Sequence, residues 1–149
     1  MNIEPHFSSN KQDWGTPQKF FNCLDSEFHF TLDPCASEWN AKCKRYYTYD
    51  QNGLIQSWDN EVIFCNPPYN EVGKWIEKAS KTKALTVVLT FARTDVKWWH
   101  TWVYDKTINR FRDNVEVRFI QGRLKFENQY GKTNPAPTPS CLIIFHNNN

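Results

Sequence analysis

Glu61-Val62-Ile63-Phe64-Cys65-Asn66-Pro67-Pro68-Tyr69 is the stretch on which the fold turns. Its first five residues are a short apolar run rich in strand formers. The run stops at two prolines, which cannot continue a hydrogen-bonded ladder. A helix is expected next, because Val72, Trp75, Ile76 and Ala79 share one helical face. The following segment, Ala84 to Phe91 (ALTVVLTF), is the longest apolar run and reads as a strand buried on both faces. Strand, helix and strand in this order predict an α/β fold with a mostly parallel sheet.

Working outward, Met1 to Asp13 carry no periodic signal and are expected to form a flexible N-terminal arm. Residues 14–149 are expected to form a single domain, since no linker or repeat interrupts them. Thr16-Pro17 reads as a helix start, with a capping hydroxyl and proline at the first helical position. Phe20, Phe21, Leu24 and Phe28 give that helix its apolar face. His29 to Asp33 (HFTLD) reads as a strand, Pro34 to Ser37 as a turn and Ser37 to Lys44 as a short helix. Arg45 to Tyr49 (RYYTY) is rich in strand formers, and Asp50 to Gly53 forms a turn.

Beyond Phe91, Thr94 or Asp95 can cap a helix carrying Trp98, Trp99, Trp102 and Val103. That spacing favours core packing over a wedge into a duplex. Val115 to Ile120 and Cys141 to Phe145 read as two last strands. They lack a helical crossover, so an antiparallel pair is expected at the C-terminus. Asn134-Pro135-Ala136-Pro137-Thr138-Pro139 lies between them and cannot be a central strand.

Formal net charge is +2, so the chain is only weakly basic. From Arg93 onward, nine Lys or Arg face five acids, an excess of four that leaves the rest of the chain at −2. An anionic partner therefore belongs with the second half. The five cysteines are odd in number and form no CxxC pair. A disulfide framework or zinc site is not expected, nor any other metal, and the cysteines read as small hydrophobes in a reducing compartment. No run is long and apolar enough to cross a membrane, so a soluble intracellular protein is expected.

The chemistry is expected at Asn66-Pro67-Pro68-Tyr69. In an open α/β sheet, ligands gather at the carboxyl ends of strands. Two successive prolines remove two N–H donors and leave rigid carbonyl acceptors. The asparagine adds an acceptor and the tyrosine a flat ring. Such a pocket suits a planar amino group whose lone pair is delocalised. Acceptors for both of its hydrogens stabilise the positive charge that develops when the nitrogen attacks. The competing reading is an ordinary turn, since Asn and Pro both favour turns.

An ordered set of pieces resembles the phage-type, Dam-like DNA N6-adenine methyltransferase family. They are Trp14-Gly15-Thr16-Pro17, Leu32-Asp33-Pro34-Cys35-Ala36, Asn40, Cys43, Asn52-Gly53-Leu54 and Trp58. Asn66-Pro67-Pro68-Tyr69, Arg93-Thr94-Asp95, Gly122-Arg123-Leu124-Lys125-Phe126 and Pro135-Ala136-Pro137 complete the set. The resemblance runs from about Trp14 to Phe145 and implies a Rossmann-like methyltransferase fold that uses S-adenosyl-L-methionine.

It implies that Asn66, Pro67, Pro68 and Tyr69 are catalytic. The Asn66 side-chain oxygen and Pro67 carbonyl would take the N6 hydrogens of an adenine flipped from double-stranded DNA, with Tyr69 stacked on the base. Trp14, Thr16 and Pro17 would form an upstream cofactor motif. Asp33, Pro34, Cys35 and Ala36 stand where the family has a glycine-rich loop around the methionine part. Asp50 would accept the ribose hydroxyls, and Leu54 would pack on the cofactor's adenine. The usual FxGxG glycines are absent, Asn52 stands where the family often has Asp, and the stretch from Asp33 to Asn66 is short for a complete methyltransferase sheet.

Arg93, Lys97, Arg110, Arg112, Arg123 and Lys125 are expected to contact DNA. The loop from Glu127 to Ser140 is a candidate small recognition element. Its size implies a short or weak site preference, or help from a second subunit in a homodimer. The expected setting is the cytoplasm of a bacterial cell or a phage-infected host. Alternatives are transfer to cytosine N4, RNA adenine or a protein glutamine, and a non-catalytic nucleic-acid-binding module of the same fold. Pro34-Cys35 also matches the nucleophile pair of cytosine-C5 methyltransferases, but the partners that chemistry needs are not found.

Overall fold

The computed structural model describes residues 14–147, so the expected N-terminal arm lies outside the described residues. The chain opens with α1 (Gln18–Phe28), β1 (Leu32–Asp33) and β2 (Arg45–Tyr46). Next come β3 (Val62–Cys65), α2 (Val72–Lys81) and β4 (Leu85–Phe91). A hairpin of β5 (Tyr104–Asp105) and β6 (Arg110–Phe111) precedes β7 (Val115–Phe119). A second hairpin, β8 (Lys125–Glu127) and β9 (Thr133–Pro135), precedes β10 (Ser140–His146).

Six strands form the central sheet in the order β2-β1-β3-β4-β10-β7. The first four are parallel. β10 slots between β4 and β7 and runs antiparallel to both. The mostly parallel sheet with a C-terminal antiparallel pair is thus present.

Strand alternation explains the unbroken apolar runs. Ile63, Cys65, Val88, Cys141, Ile143 and Phe145 face one side. Phe64, Val87, Leu89, Phe91, Leu142 and Ile144 face the other. α2 covers the first face through Val72, Trp75, Ile76 and Ala79, helped by Trp99 and Val103. α1 covers the second with Phe21 and Leu24. Ile143, Ile144 and Phe145 are fully buried, and each such side chain contributes about 1.5–3 kcal/mol of transfer free energy. β10 is therefore the centre of the core. No helix among the described residues is long and apolar enough to cross a membrane.

Several expected elements are corrected. Ser37–Lys44 is not a helix. Ala41 N–H reaches Ser37 O at 3.0 Å, but Asn40 Oδ1 accepts from Ser37 N–H at 2.7 Å and Asp33 Oδ2 from Lys42 N–H at 3.0 Å. Side-chain acceptors compete here with helical bonding. His29 takes a left-handed conformation that ends α1, so the HFTLD strand shrinks to its last two residues. The segment bearing the tryptophans is a π-helix, Trp99–Val103, with no side-chain cap from Thr94 or Asp95. The proline-bearing loop contributes β9 to a two-stranded hairpin outside the central sheet, where proline is tolerated. Cys23 is exposed, whereas Cys65 and Cys141 are buried, and burial pushes the Cys141 thiol up to about 12.

Candidate active site

Because β1, β2 and β3 are parallel, the segments that leave them emerge at one edge of the sheet. There they enclose a cleft of about 590 Å³, within the usual range for small-molecule sites. Pro34, Cys35 and Ala36 line it from β1, Asp50 and Leu54 from the connection after β2, and Pro68 from the connection after β3. The chain visits β1, then β2 on one side, then β3 on the other. The cleft thus sits at the point where strand order reverses, the favoured ligand position in such sheets. Five of the expected cofactor residues meet here. Trp14, Thr16, Pro17 and Asp33 do not line it.

Asp33 explains how the loop after β1 manages without glycines. The residue is 4% exposed. It accepts from Cys35 N–H at 3.4 Å and Lys42 N–H at 3.0 Å. The turn is held by a buried acceptor, so Asp33 shapes the cleft from behind. On the opposite wall, Asn52 adopts φ 54° and accepts from Leu54 N–H at 3.2 Å. Gly53 lies against Pro34, and its carbonyl receives the Trp58 indole N–H at 2.9 Å. Lys78 donates to the carbonyls of Leu54 and Gln56. Desolvation holds its amine below the usual lysine range.

Asn66 directly follows β3 and is 5% exposed. Its Nδ2 donates to Thr16 Oγ1 at 3.1 Å. Its Oδ1 has no hydrogen-bond partner among the described residues. The Pro68 carbonyl accepts from Glu71 N–H at 3.2 Å, but the Pro67 carbonyl accepts no backbone N–H among the described residues. Two acceptor oxygens, one from a side chain and one from the main chain, therefore stand side by side in sequence. The Tyr69 ring packs on Phe91 with centroids 3.9 Å apart and planes at 32°. Burial raises its hydroxyl pKa, so it stays protonated. Phe91 occupies part of the ring surface expected to stack on a base, which restricts a base to what it leaves uncovered.

Thr16 is a second correction. The α1 N-cap is Pro17, with no side-chain capping bond. The hydroxyl expected to cap the helix binds the Asn66 amide instead.

The basic residues divide between two edges. Arg93 and Lys97 follow β4 and are exposed near the carboxyl edge. Arg123 and Lys125 are exposed on the excursion between β7 and β10. Both ends of that excursion meet that edge, since Ile120 N–H reaches Ser140 O and Ala92 N–H reaches Pro139 O. Arg110 and Arg112 precede Val115, which is level with Phe145 and hence with Thr86 near the start of β4. They lie at the amino edge, away from the cleft. Arg112 also donates to His100 O at 2.9 Å and sits 3.8 Å from Asp105. These contacts tie it to the π-helix and to β5.

Residues missed by sequence reasoning also appear. Tyr49, Asn70, Glu71 and Trp75 line the cleft. Asn70 and Glu71 could have been found as the continuation of the tetrapeptide. Trp75 reads from periodicity as core only. Tyr130, 82% exposed, sits in the turn between β8 and β9.

The family described as DNA N-6-adenine-methyltransferase (Dam) matches residues 6–149. The chain is 28% identical over 143 residues to the DNA N-6-adenine-methyltransferase of Haemophilus phage HP1, covering 92% of this chain and 80% of that protein. It is 32% identical over 68 residues to the DNA N-6-adenine-methyltransferase of Escherichia phage T1, covering 44% of this chain and 29% of that protein.

Proposed function

The chain belongs to the DNA N-6-adenine-methyltransferase (Dam) family, and from that premise we propose that it transfers a methyl group from S-adenosyl-L-methionine to N6 of an adenine held by Asn66 and Pro67. Family membership favours DNA adenine over cytosine N4, RNA or protein acceptors, and an enzyme over a non-catalytic module. The sheet, parallel up to β4 with its cleft at the reversal of strand order, supports a Rossmann-like reading of the fold.

The cleft's chemistry suits the donor. Asp50 offers a carboxylate to ribose hydroxyls. Leu54 and Trp75 offer apolar surface to a flat base, and Pro34 to Ala36 offer a firm loop to the methionine part. Trp75 Nε1 has no hydrogen-bond partner among the described residues, and a bound group or water would satisfy it. When bound, the donor supplies an electrophilic methyl group on a sulfonium sulfur.

The residues of the chain do the rest. Asn66 Oδ1 and the Pro67 carbonyl accept the two N6 hydrogens and draw the lone pair onto nitrogen. They stabilise the positive charge that grows as the carbon–nitrogen bond forms and the carbon–sulfur bond breaks. The nitrogen then loses one proton to solvent. Tyr69, backed by Phe91, gives the flipped base an apolar surface. Arg93, Lys97, Arg123 and Lys125, with the β8–β9 hairpin, are the proposed double-stranded DNA surface. A homodimer would add a second such surface, and the setting of the substrate is the cytoplasm of a bacterial cell or infected host.

The observation that carries this reading is the Asn66 amide, held at its nitrogen by Thr16, with no partner for its oxygen among the described residues and Pro67 next to it in sequence. The test is incubation with methyl-labelled donor and unmethylated DNA, followed by nucleoside analysis. Label in N6-methyladenine supports the reading. Label confined to N4-methylcytosine, or none at all, overturns it.

A further inference from the structure

We infer that Thr16 is the positioning residue for Asn66: it fixes the plane of the catalytic amide so that Oδ1 faces the adenine amine. This rests on the reading of Asn66 given above. Thr16 is 3% exposed and Asn66 5% exposed, so water does not substitute freely for their bond. The bond joins residues 50 apart in sequence, which makes it a tertiary contact and not a by-product of local structure. An asparagine amide presents an acceptor at one end and donors at the other. Adenine N6 offers two donors. Only one orientation matches both neighbours, with Oδ1 towards the base and Nδ2 towards an acceptor, and Thr16 Oγ1 is that acceptor. Donation from Nδ2 also polarises the amide and strengthens Oδ1 as an acceptor.

The support for Thr16 is itself rigid. Pro17 restricts the backbone on one side. On the other, Gly15 pairs with Glu127 through two backbone hydrogen bonds of 2.6 and 3.0 Å. Thr16 is thus strung between α1 and β8. Its hydroxyl neither caps α1 nor lines the cleft. The role is therefore separate from the cofactor contact that the motif Trp14-Gly15-Thr16-Pro17 suggests.

The experiment compares Thr16→Val, which keeps the shape and removes the hydroxyl, with Thr16→Ser, which keeps the hydroxyl and removes the methyl. Thr16→Val is expected to lower kcat about 100-fold, the size of effect a misplaced reacting group produces. Its Tm is expected to fall modestly, because the buried Asn66 amide loses its acceptor, while its donor affinity by calorimetry is expected to stay at the parent value. Thr16→Ser is expected to turn over like the parent. In the donor-free protein, the side-chain NH2 resonances of Asn66 are expected to shift and exchange faster in Thr16→Val but not in Thr16→Ser. An active valine variant with an impaired serine variant would assign Thr16 to packing and overturn the inference. So would weakened donor binding in Thr16→Val, or unchanged Asn66 resonances. Normal turnover in Asn66→Ala would instead remove the underlying reading of the pocket.

Discussion

Gly53 and Pro34 are in backbone contact across the cleft wall, so close that a β carbon on Gly53 would stand 2.1 Å from the Pro34 carbonyl oxygen. Pro34 opens the loop after β1, and Gly53 begins the single-turn helix Gly53–Ile55. Two segments distant in sequence are locked together there, and the indole N–H of the buried Trp58 holds Gly53 O from the core.

Gly53→Ala should therefore force the two walls of the cleft apart. Overpacking of this kind costs about 1–3 kcal/mol, and more where the obstacle is backbone. The expected outcome is a lowered Tm together with weakened binding of S-adenosyl-L-methionine. A variant with parent stability and affinity would show that the contact does not shape the site.

Asp33 offers a test of how the loop after β1 is built. Asp33→Ala leaves the partly buried N–H groups of Cys35 and Lys42 without this acceptor. Loss of hydrogen bonds to a charged group costs about 1.5–3 kcal/mol each where nothing replaces them. Asp33→Ala should lower both stability and donor affinity, whereas Asp33→Asn, which keeps an acceptor oxygen, should do so less. Chemical denaturation and calorimetry on both variants check this.

These sites show what one-dimensional reading can reach. The place of the tetrapeptide at the end of β3 was legible because its prolines close a short apolar run. The two-faced burial of β4 and β10 was legible in their unbroken apolar runs. Ser37–Lys44 was not, because its backbone groups go to side chains whose partners are set by the tertiary fold. Thr16 had the signature of a cap, and only the approach of Asn66 redirected its hydroxyl. Arg110 and Arg112 counted towards a basic second half, but charge order along a chain does not say which edge of a sheet a residue occupies. The β5–β6 hairpin carries them to the far edge.

Asn66→Ala removes one of the two proposed acceptors. By analogy with loss of a single oxyanion-hole donor, turnover should fall about 100- to 1,000-fold. Donor binding should be largely spared, because Asn66 does not line the cleft wall. A single-turnover assay with donor affinity measured in parallel separates the two effects. Equal loss of binding and turnover would place Asn66 in the donor site instead.

Arg118 predicts an acid-dependent stability. It donates to both Glu27 carboxylate oxygens, at 2.7 and 2.8 Å, and to Glu116 at 2.6 Å, tying α1 to β7. These bonds hold both glutamates below the usual carboxylate range. A lowered folded-state pKa gives stabilisation that is present above the ordinary carboxylate pKa and is lost as pH falls through the folded value. Arg118→Gln should therefore lower Tm at neutral pH, and the gap to the parent should narrow below about pH 4. A gap independent of pH would remove the carboxylates from the explanation.

The division of basic residues between two edges makes the sharpest prediction about DNA. Lys125 and Arg93 stand at the edge that carries Asn66, whereas Arg110 pairs with Asp113 at the opposite edge, 3.5 Å away. A phosphate contact adds to the dependence of affinity on salt, because binding releases condensed counterions. Lys125→Ala and Arg93→Ala should each weaken binding to a duplex and reduce the slope of log affinity against log salt by about 1. Arg110→Ala should change neither, although its charge is the same. Fluorescence anisotropy across a salt series on the three variants is sufficient. Equal effects of Arg110 and Lys125 would mean that net charge, and not the carboxyl edge of the sheet, guides the duplex to the chain.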